Sequence, residues 1–322
     1  MPVHEPYVGQ IAATLYRGNA NLIERHAGPW IELCKRSSND APFFRPEWIA
    51  AYMHAFEPDA HVVLATTYSD HKLHAVLPLV EKDTVFCGFP VRMLRGAANE
   101  HSCRFDLVRT NGDEGTLAVR AIWEALKACP GWNLIELPYV PEDGSAEQLL
   151  DEAIRDGFLI GQYESYTSPY VLLPAGISVD ELPVSAHFRR NLHRRQRKAR
   201  ENSEVHLKRV DSADPAMLKT FFDLEAGGWK GKEGTAIACS EPTRNFYNEV
   251  ALVASACGYF SLYLLQFGDA IVAGHFGLSY GKRYYSHKVA YNEAFSEFGP
   301  GHLMVDAILR DVQPRNFREF DF

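Results

Sequence analysis

One hydrophobic pattern occurs twice in this chain at a constant offset of 199 residues, which restricts it to folds built from two similar lobes. The first hairpin runs Val62 to Val80 (VVLATTY-SDHKL-HAVLPLV) and the second Ser261 to Ser279 (SLYLLQF-GDAIV-AGHFGLS). Tyr68 falls on Phe267, Asp70 on Asp269 and Leu73 on Val272. Both runs are β-branched or aromatic and break at a polar turn, as hairpins do. An amphipathic helix precedes each, over Pro46 to Phe56 and Thr243 to Ala256. A strand, a helix and a strand follow each. In the first copy the helix is Thr116 to Ala128 and the closing strand Trp132 to Val140. In the second copy the strand is Arg283 to Ala290, the helix His302 to Gln313 and the closing strand Phe317 to Phe322. The unit is βββαβ, and the fold class is α/β with mixed sheets.

A length of 322 residues suits two such lobes, and 46% hydrophobic with 23% charged residues is a globular composition. The six cysteines (34, 87, 103, 129, 239 and 257) form no CxxC pair, so they read as reduced, mostly buried thiols of a cytoplasmic protein. The cluster Glu100-His101-Cys103-Asp106 is too sparse for zinc, and no metal is expected. The amino terminus, MPVHEPYVGQ, lacks a basic region followed by an apolar core, so no secretory signal is expected. No segment approaches the roughly 20 apolar residues that span a bilayer.

Charge is unevenly spread. The segment His187 to Arg200 (HFRRNLHRRQRKAR) holds seven of the 33 lysines and arginines and no acid, while the whole chain has 41 acidic residues and a net charge of -8. Such a helix is either a dock for an acidic partner or a solvated linker that pairs with acidic surroundings. General nucleic-acid binding is disfavoured by the acidic remainder.

The segment Tyr291 to Leu303 leaves a strand, turns through Gly299-Pro300-Gly301 and enters an apolar-periodic helix. Glycines there let main chain approach a ligand, and the first helical turn offers unpaired N–H groups with a partial positive charge. A diphosphate fits such a corner. The first copy carries Asn111-Gly112-Asp113-Glu114-Gly115 at the same place, where two carboxylates would repel an anion. Ordinary turn chemistry is the alternative reading of both glycine pairs.

These segments carry a resemblance. The run from EAGGWKGKEGTAIA (Glu225 to Ala238) through FYNEVA, LYLLQFGDAIVAGHFGL, YYSHKVAYNEAFSEFGPGHLM and REFDF resembles the CelD-like, Fem-related branch of the GNAT acyltransferase superfamily. PFFRPEW (Pro42 to Trp48), HAVLPL (His74 to Leu79), LRGAANEHS (Leu94 to Ser102) and RRNLHRR (Arg189 to Arg195) add to it. The resemblance implies tandem GNAT-like lobes joined by the basic helix. Residues 1–175 would form a degenerate amino-terminal lobe, and residues 176–322 a carboxyl-terminal lobe with the acyl-coenzyme A site. It implies an N-acyltransferase without metal, whose acyl-CoA diphosphate rests on main-chain N–H groups from Gly299 through Gly301 and His302 to Leu303. The pantetheine arm would add like a strand between Arg283-Ala290 and Phe317-Phe322, beside Tyr285 and Lys288. The acceptor would be an amine on a sugar, lipid precursor or small metabolite, possible links being cellulose or exopolysaccharide synthesis. A Fem-like transferase using aminoacyl-tRNA and a non-catalytic polysaccharide-assembly factor are the alternatives.

Amine attack on a thioester needs a base and an oxyanion partner. Titratable candidates near the cofactor strands are Asp321, His275, His287 and Glu225; each has a purely structural alternative. Trp229 and Lys230 are candidates to line the acceptor, and Arg189 and Arg190 to meet an acidic group. In one respect the second copy departs from the family pattern. The first continues past its fifth strand with a helix (Ser145 to Asp156) and two strands (Phe158 to Tyr163, Pro169 to Leu173), whereas nothing follows Phe322. The second lobe is thus expected to end on an uncovered apolar strand.

Overall fold

The structure, a computed structural model, describes residues 11–322; the segment MPVHEPYVGQ lies outside them. The chain divides into two compact units, one ending at Ser165 and one spanning Tyr166–Phe322.

In the first unit the strands are β1 (Ala12–Gly18), β2 (Val62–Ser69), β3 (Lys72–Phe86), β4 (Phe89–Gly96), β5 (Val108–Arg109) and β6 (Leu134–Glu136). The helices are α1 (Asn21–Cys34), α2 (Pro46–Phe56), α3 (Gly112–Ala128) and α4 (Ala146–Arg155). The sheet runs β1-β2-β3-β4-β6, with β5 beside β3. Asp70 and His71 both take positive φ (49° and 62°) in the two-residue turn between β2 and β3, matching the twist of the hairpin. The closing strand is shorter than expected: only Leu134–Glu136 pairs, in parallel, with β4. Tyr139, at φ 59°, turns the chain away soon after. Asp106 is buried and accepts the main-chain N–H groups of Ser145 and Ala146, both at 2.8 Å, so this member of the sparse acidic cluster caps α4.

The second unit comprises β7 (Tyr170–Leu172), α5 (Ala186–Asn202), β8 (Val205–Val210), α6 (Pro215–Ala226), α7 (Trp229–Lys232), α8 (Glu241–Ala256), β9 (Phe260–Phe267), β10 (Ala270–Tyr280), β11 (Arg283–Tyr291), α9 (Pro300–Val312) and β12 (Glu319–Asp321). Its sheet runs β7-β12-β11-β10-β9-β8. Setting β7 aside, the two sheets share one plan: a first strand, an antiparallel trio, then a strand returned in parallel through a helix. That parallel pair is β4 with β6 in one unit and β11 with β12 in the other. A parallel return needs a crossover, which α3 and α9 supply.

Alternation along β10 assigns the faces. Phe276 meets Phe221 of α6, Tyr247 of α8 and Phe260, while its neighbour His275 points to the opposite face with Tyr284 and Phe320. On that second face Leu192 and Ala199 of α5 and Leu303, Met304 and Ile308 of α9 complete the core. Burying Leu192 and Ala199 there makes the basic helix an integral part of the second unit, not a linker.

Three further expectations are corrected. Phe158 to Tyr163 forms no strand. The segment expected as the first lobe's last strand is β7, which pairs antiparallel with β12 from Glu319↔Leu172 to Asp321↔Tyr170. The final strand is therefore covered, by residues that the expected boundary at 175 assigned to the other lobe. Nor are the cysteines mostly buried: Cys34 is, but Cys87, Cys239 and Cys257 are exposed because they sit in turns and at a helix end.

Candidate functional site

The site lies in the second unit, where three features of β11 and α9 meet. First, β11 pairs with β12 only over Arg283–Tyr285, although β11 continues to Tyr291. Beyond Tyr285 the strands offer an open side that an extended ligand can join by main-chain hydrogen bonds. Second, the register of β10 on β11 slips between Phe276↔Lys288 and Gly277↔Ser286, so His287 is an inserted residue in a β-bulge. The bulge turns adjacent side chains the same way: His287 Nε2 lies 3.3 Å from Tyr247 Oη, and Lys288 Nζ sits 5.6 Å over the Tyr247 ring.

Third, α9 starts without a side-chain cap. Ser185, Asp214 and Ser240 close α5, α6 and α8 with side-chain oxygens, but the N-cap of α9 is Gly299, at φ 60° and ψ 56°. The amides of His302 and Leu303 already bond Gly299 O, at 3.0 and 3.2 Å, and that of Gly299 bonds Ser296 O. The anion corner is thus narrower than expected. Gly301 supplies its amide, with nothing within 4 Å of where a Cβ would stand, while Leu303 is buried in the core. What the sequence reading missed is Arg195. Its guanidinium rests against Gly299 and donates to His302 Nδ1 at 3.3 Å, and it has no carboxylate partner among the described residues. A cation without a counter-ion at the positive end of a helix favours an anion between them.

The other expected residues separate into two groups. His275 is fully buried, with Nε2 2.7 Å from Ser286 Oγ and Nδ1 3.2 Å from Tyr284 Oη. Burial pushes its pKa down to about 3, so it stays neutral and is a weak base. Asp321 is buried on β12 and accepts from Ser168 Oγ at 3.2 Å. Tyr285 is buried opposite it and hydrogen-bonds Arg283. His287 and Lys288, half-buried at the bulge, remain within reach of the open side of β11.

Glu225, Lys230 and Arg189 are structural. Buried Glu225 accepts Lys230 Nζ at 2.9 Å and the Ile237 amide at 2.8 Å, which occupies both oxygens. Lys230 also donates to Val289 O of β11, tying the loop to the sheet. Arg189 donates to the carbonyls of Asp180 and Leu182. Of the expected ligand-facing residues, Trp229 and Arg190 stay exposed.

Residues 186–322 match the acetyltransferase (GNAT) domain family. That match lies within the carboxyl-terminal unit, Tyr166–Phe322. The fold of the whole chain is similar to that of FemX. The solved structure of FemX is 14% identical, covers 93% of this chain and 86% of its own, and superposes with a TM-score of 0.58. A conserved protein of unknown function from Bacteroides thetaiotaomicron VPI-5482 is 13% identical, with coverage of 96% and 89% and a TM-score of 0.53. No curated protein matches. GNAT domains work in general with an acyl-coenzyme A co-substrate. No helix among the described residues is long and apolar enough to cross a membrane.

Proposed function

We propose that the protein is an N-acyltransferase that moves an acyl group from acyl-coenzyme A to an amine. The single observation that carries this is Arg195, a guanidinium with no carboxylate partner among the described residues, set against left-handed Gly299 at the uncapped start of α9. A diphosphate there would meet the guanidinium, the Gly301 amide and the helix dipole together. From that corner an extended arm can run down the unpaired edge of β11 toward Tyr285, where β12 closes the gap.

The reacting carbonyl would then lie beside the bulge at His287, where main chain released from the ladder can meet the developing oxyanion. Binding donor and acceptor in one cleft supplies much of the acceleration. Of the titratable candidates, half-buried His287 is best suited to take the proton from the amine. Asp321 is the second candidate; neutral His275 is not one.

The amino-terminal unit is read as degenerate for donor binding, since α3 opens with Asp113 and Glu114 where α9 presents open Gly301. The proposed acceptor class is an amino sugar, lipid precursor or small metabolite, with exopolysaccharide or cellulose synthesis as the proposed setting and the cytoplasm as the proposed location. Exposed Arg190 and Arg194 on α5 favour a second reading, a Fem-like transferase that uses aminoacyl-tRNA.

A thermal-shift panel of coenzyme A, acetyl-coenzyme A, longer acyl thioesters and tRNA separates the two. A ligand at 100 times its Kd stabilises by about 2.7 kcal/mol. A shift with thioesters alone supports the proposal. A shift with tRNA alone that collapses as salt rises supports the second reading.

A further inference from the structure

Tyr284, His275 and Ser286 form a hydrogen-bonded row across β10 and β11 on the α9 face of the sheet, ending at the point where β12 leaves β11. Ser286 is the first residue of β11 beyond the last pair, Tyr285↔Asp321, and it is half-buried, whereas Tyr284 and His275 are fully buried. The Tyr284 ring lies across Gly277, where a Cβ would collide with its hydroxyl, so only glycine at 277 lets the phenol reach His275.

The direction of the row follows from hydrogen counting. A buried phenol must donate its proton or forfeit a hydrogen bond in a site without water. The partner of Tyr284 Oη is His275 Nδ1, at 3.2 Å, so Nδ1 accepts. A neutral imidazole carries one proton, which is then on Nε2 and is donated to Ser286 Oγ at 2.7 Å. With a lone pair of Ser286 engaged from within, its own hydroxyl hydrogen is free to point outward into the gap between β11 and β12. Burial keeps the imidazole neutral, with a pKa near 3, and holds the Tyr284 phenol protonated, so this polarity is unchanged across the working pH range.

We infer that Ser286 is a catalytic hydrogen-bond donor to the leaving sulfur of the acyl thioester, with His275 and Tyr284 as the positioning residues that fix its orientation. This rests on the acyl-coenzyme A reading above. As the amine attacks, the C–N bond forms and the C–S bond breaks. The electron pair goes to sulfur, and the proton lost by the amine goes to a base on the acceptor side. Coenzyme A departs as a thiolate, whose charge the Ser286 hydroxyl stabilises without giving up its proton. The row thereby offers a donor to the leaving group from within the sheet.

The test requires no knowledge of the acceptor. Coenzyme A bound to the full-length protein is titrated by thiolate absorbance, and its affinity is measured separately by calorimetry. Free coenzyme A titrated in the same way supplies the reference value. With wild type, the bound thiol should titrate about one pH unit lower, the size expected for a hydrogen bond to a charged acceptor. Ser286→Ala should return the titration to the free value, with the Kd unchanged at a pH where the thiol is protonated both free and bound. Tyr284→Phe removes the donor that fixes the imidazole tautomer and should give an intermediate titration.

Wild type that binds coenzyme A without lowering the thiol pKa, or Ser286→Ala that titrates like wild type, overturns the inference and leaves the acyltransferase reading standing. If Tyr284→Phe titrates like wild type, the orienting row is overturned. Wild type that binds no coenzyme A at all removes that reading, and this inference with it.

Discussion

The guanidinium of Arg195 on α5 lies against Gly299, the left-handed N-cap of α9, and so couples the basic helix to the start of that helix. If an anion binds between them, Arg195→Ala should weaken coenzyme A binding about tenfold or more, the loss of a charge-assisted contact. Calorimetry at two salt concentrations measures it, and the variant's melting temperature should stay within a few degrees of wild type.

Gly299 and Gly301 should respond differently to a side chain. Gly299→Val must hold a β-branched residue at φ 60° and displace Arg195, so strain of about 1–2 kcal/mol should lower the melting temperature as well as abolish binding. Gly301 has open space around a Cβ. Gly301→Val should therefore keep a nearly normal melting temperature and lose coenzyme A alone. Calorimetry beside thermal melts separates stability from binding.

The Lys230–Glu225 pair should matter for stability. Lys230→Met leaves a carboxylate buried with only the Ile237 amide as partner, which should cost about 3–5 kcal/mol. Adding Glu225→Met should recover part of that loss, because the unpaired charge is then gone. Chemical denaturation of the single and double variants reads the difference.

His275 predicts a pH dependence. Its folded pKa, near 3, is below the unfolded value of about 6.5, so between those limits the unfolded chain binds the extra proton. Stability should be unaffected by this group above pH 6.5 and fall on acidification by up to about 1.4 kcal/mol per pH unit. His275→Gln should flatten that slope. Denaturant midpoints from pH 7 to pH 4 provide the comparison.

Strand β7 protects β12. Leu173 N donates to Arg318 O at 2.7 Å and Phe322 N to Pro169 O at 3.0 Å, which sets Val171 opposite Phe320. Val171→Pro breaks this ladder and should expose the edge of β12, giving concentration-dependent association on size-exclusion chromatography with light scattering.

Much of this architecture was written locally. The two hairpins, the crossover helices and the glycine start of α9 depend on side-chain periodicity and on turns that only certain residues enter, so they could be read along the chain. Gly299 and the paired carboxylates Asp113 and Glu114 likewise marked the two helix starts before any packing was known.

Partnership between distant segments was not legible. Glu225 reads as a free carboxylate until Lys230 and Ile237 are folded around it. His275 reads as a base until burial between Tyr284 and Ser286 fixes it as neutral. Arg195 is one of seven like charges in its run, and nothing local distinguishes the one that reaches Gly299. Strand β7 follows the first copy in sequence but hydrogen-bonds in the second unit's sheet. Sequence alone determined which stretches become strands and helices, because propensity and amphipathic period act over a few residues. Tertiary structure decided which charges are paired, which histidine can titrate and what covers the last strand, because burial and long-range hydrogen bonds exist only once the chain has closed on itself.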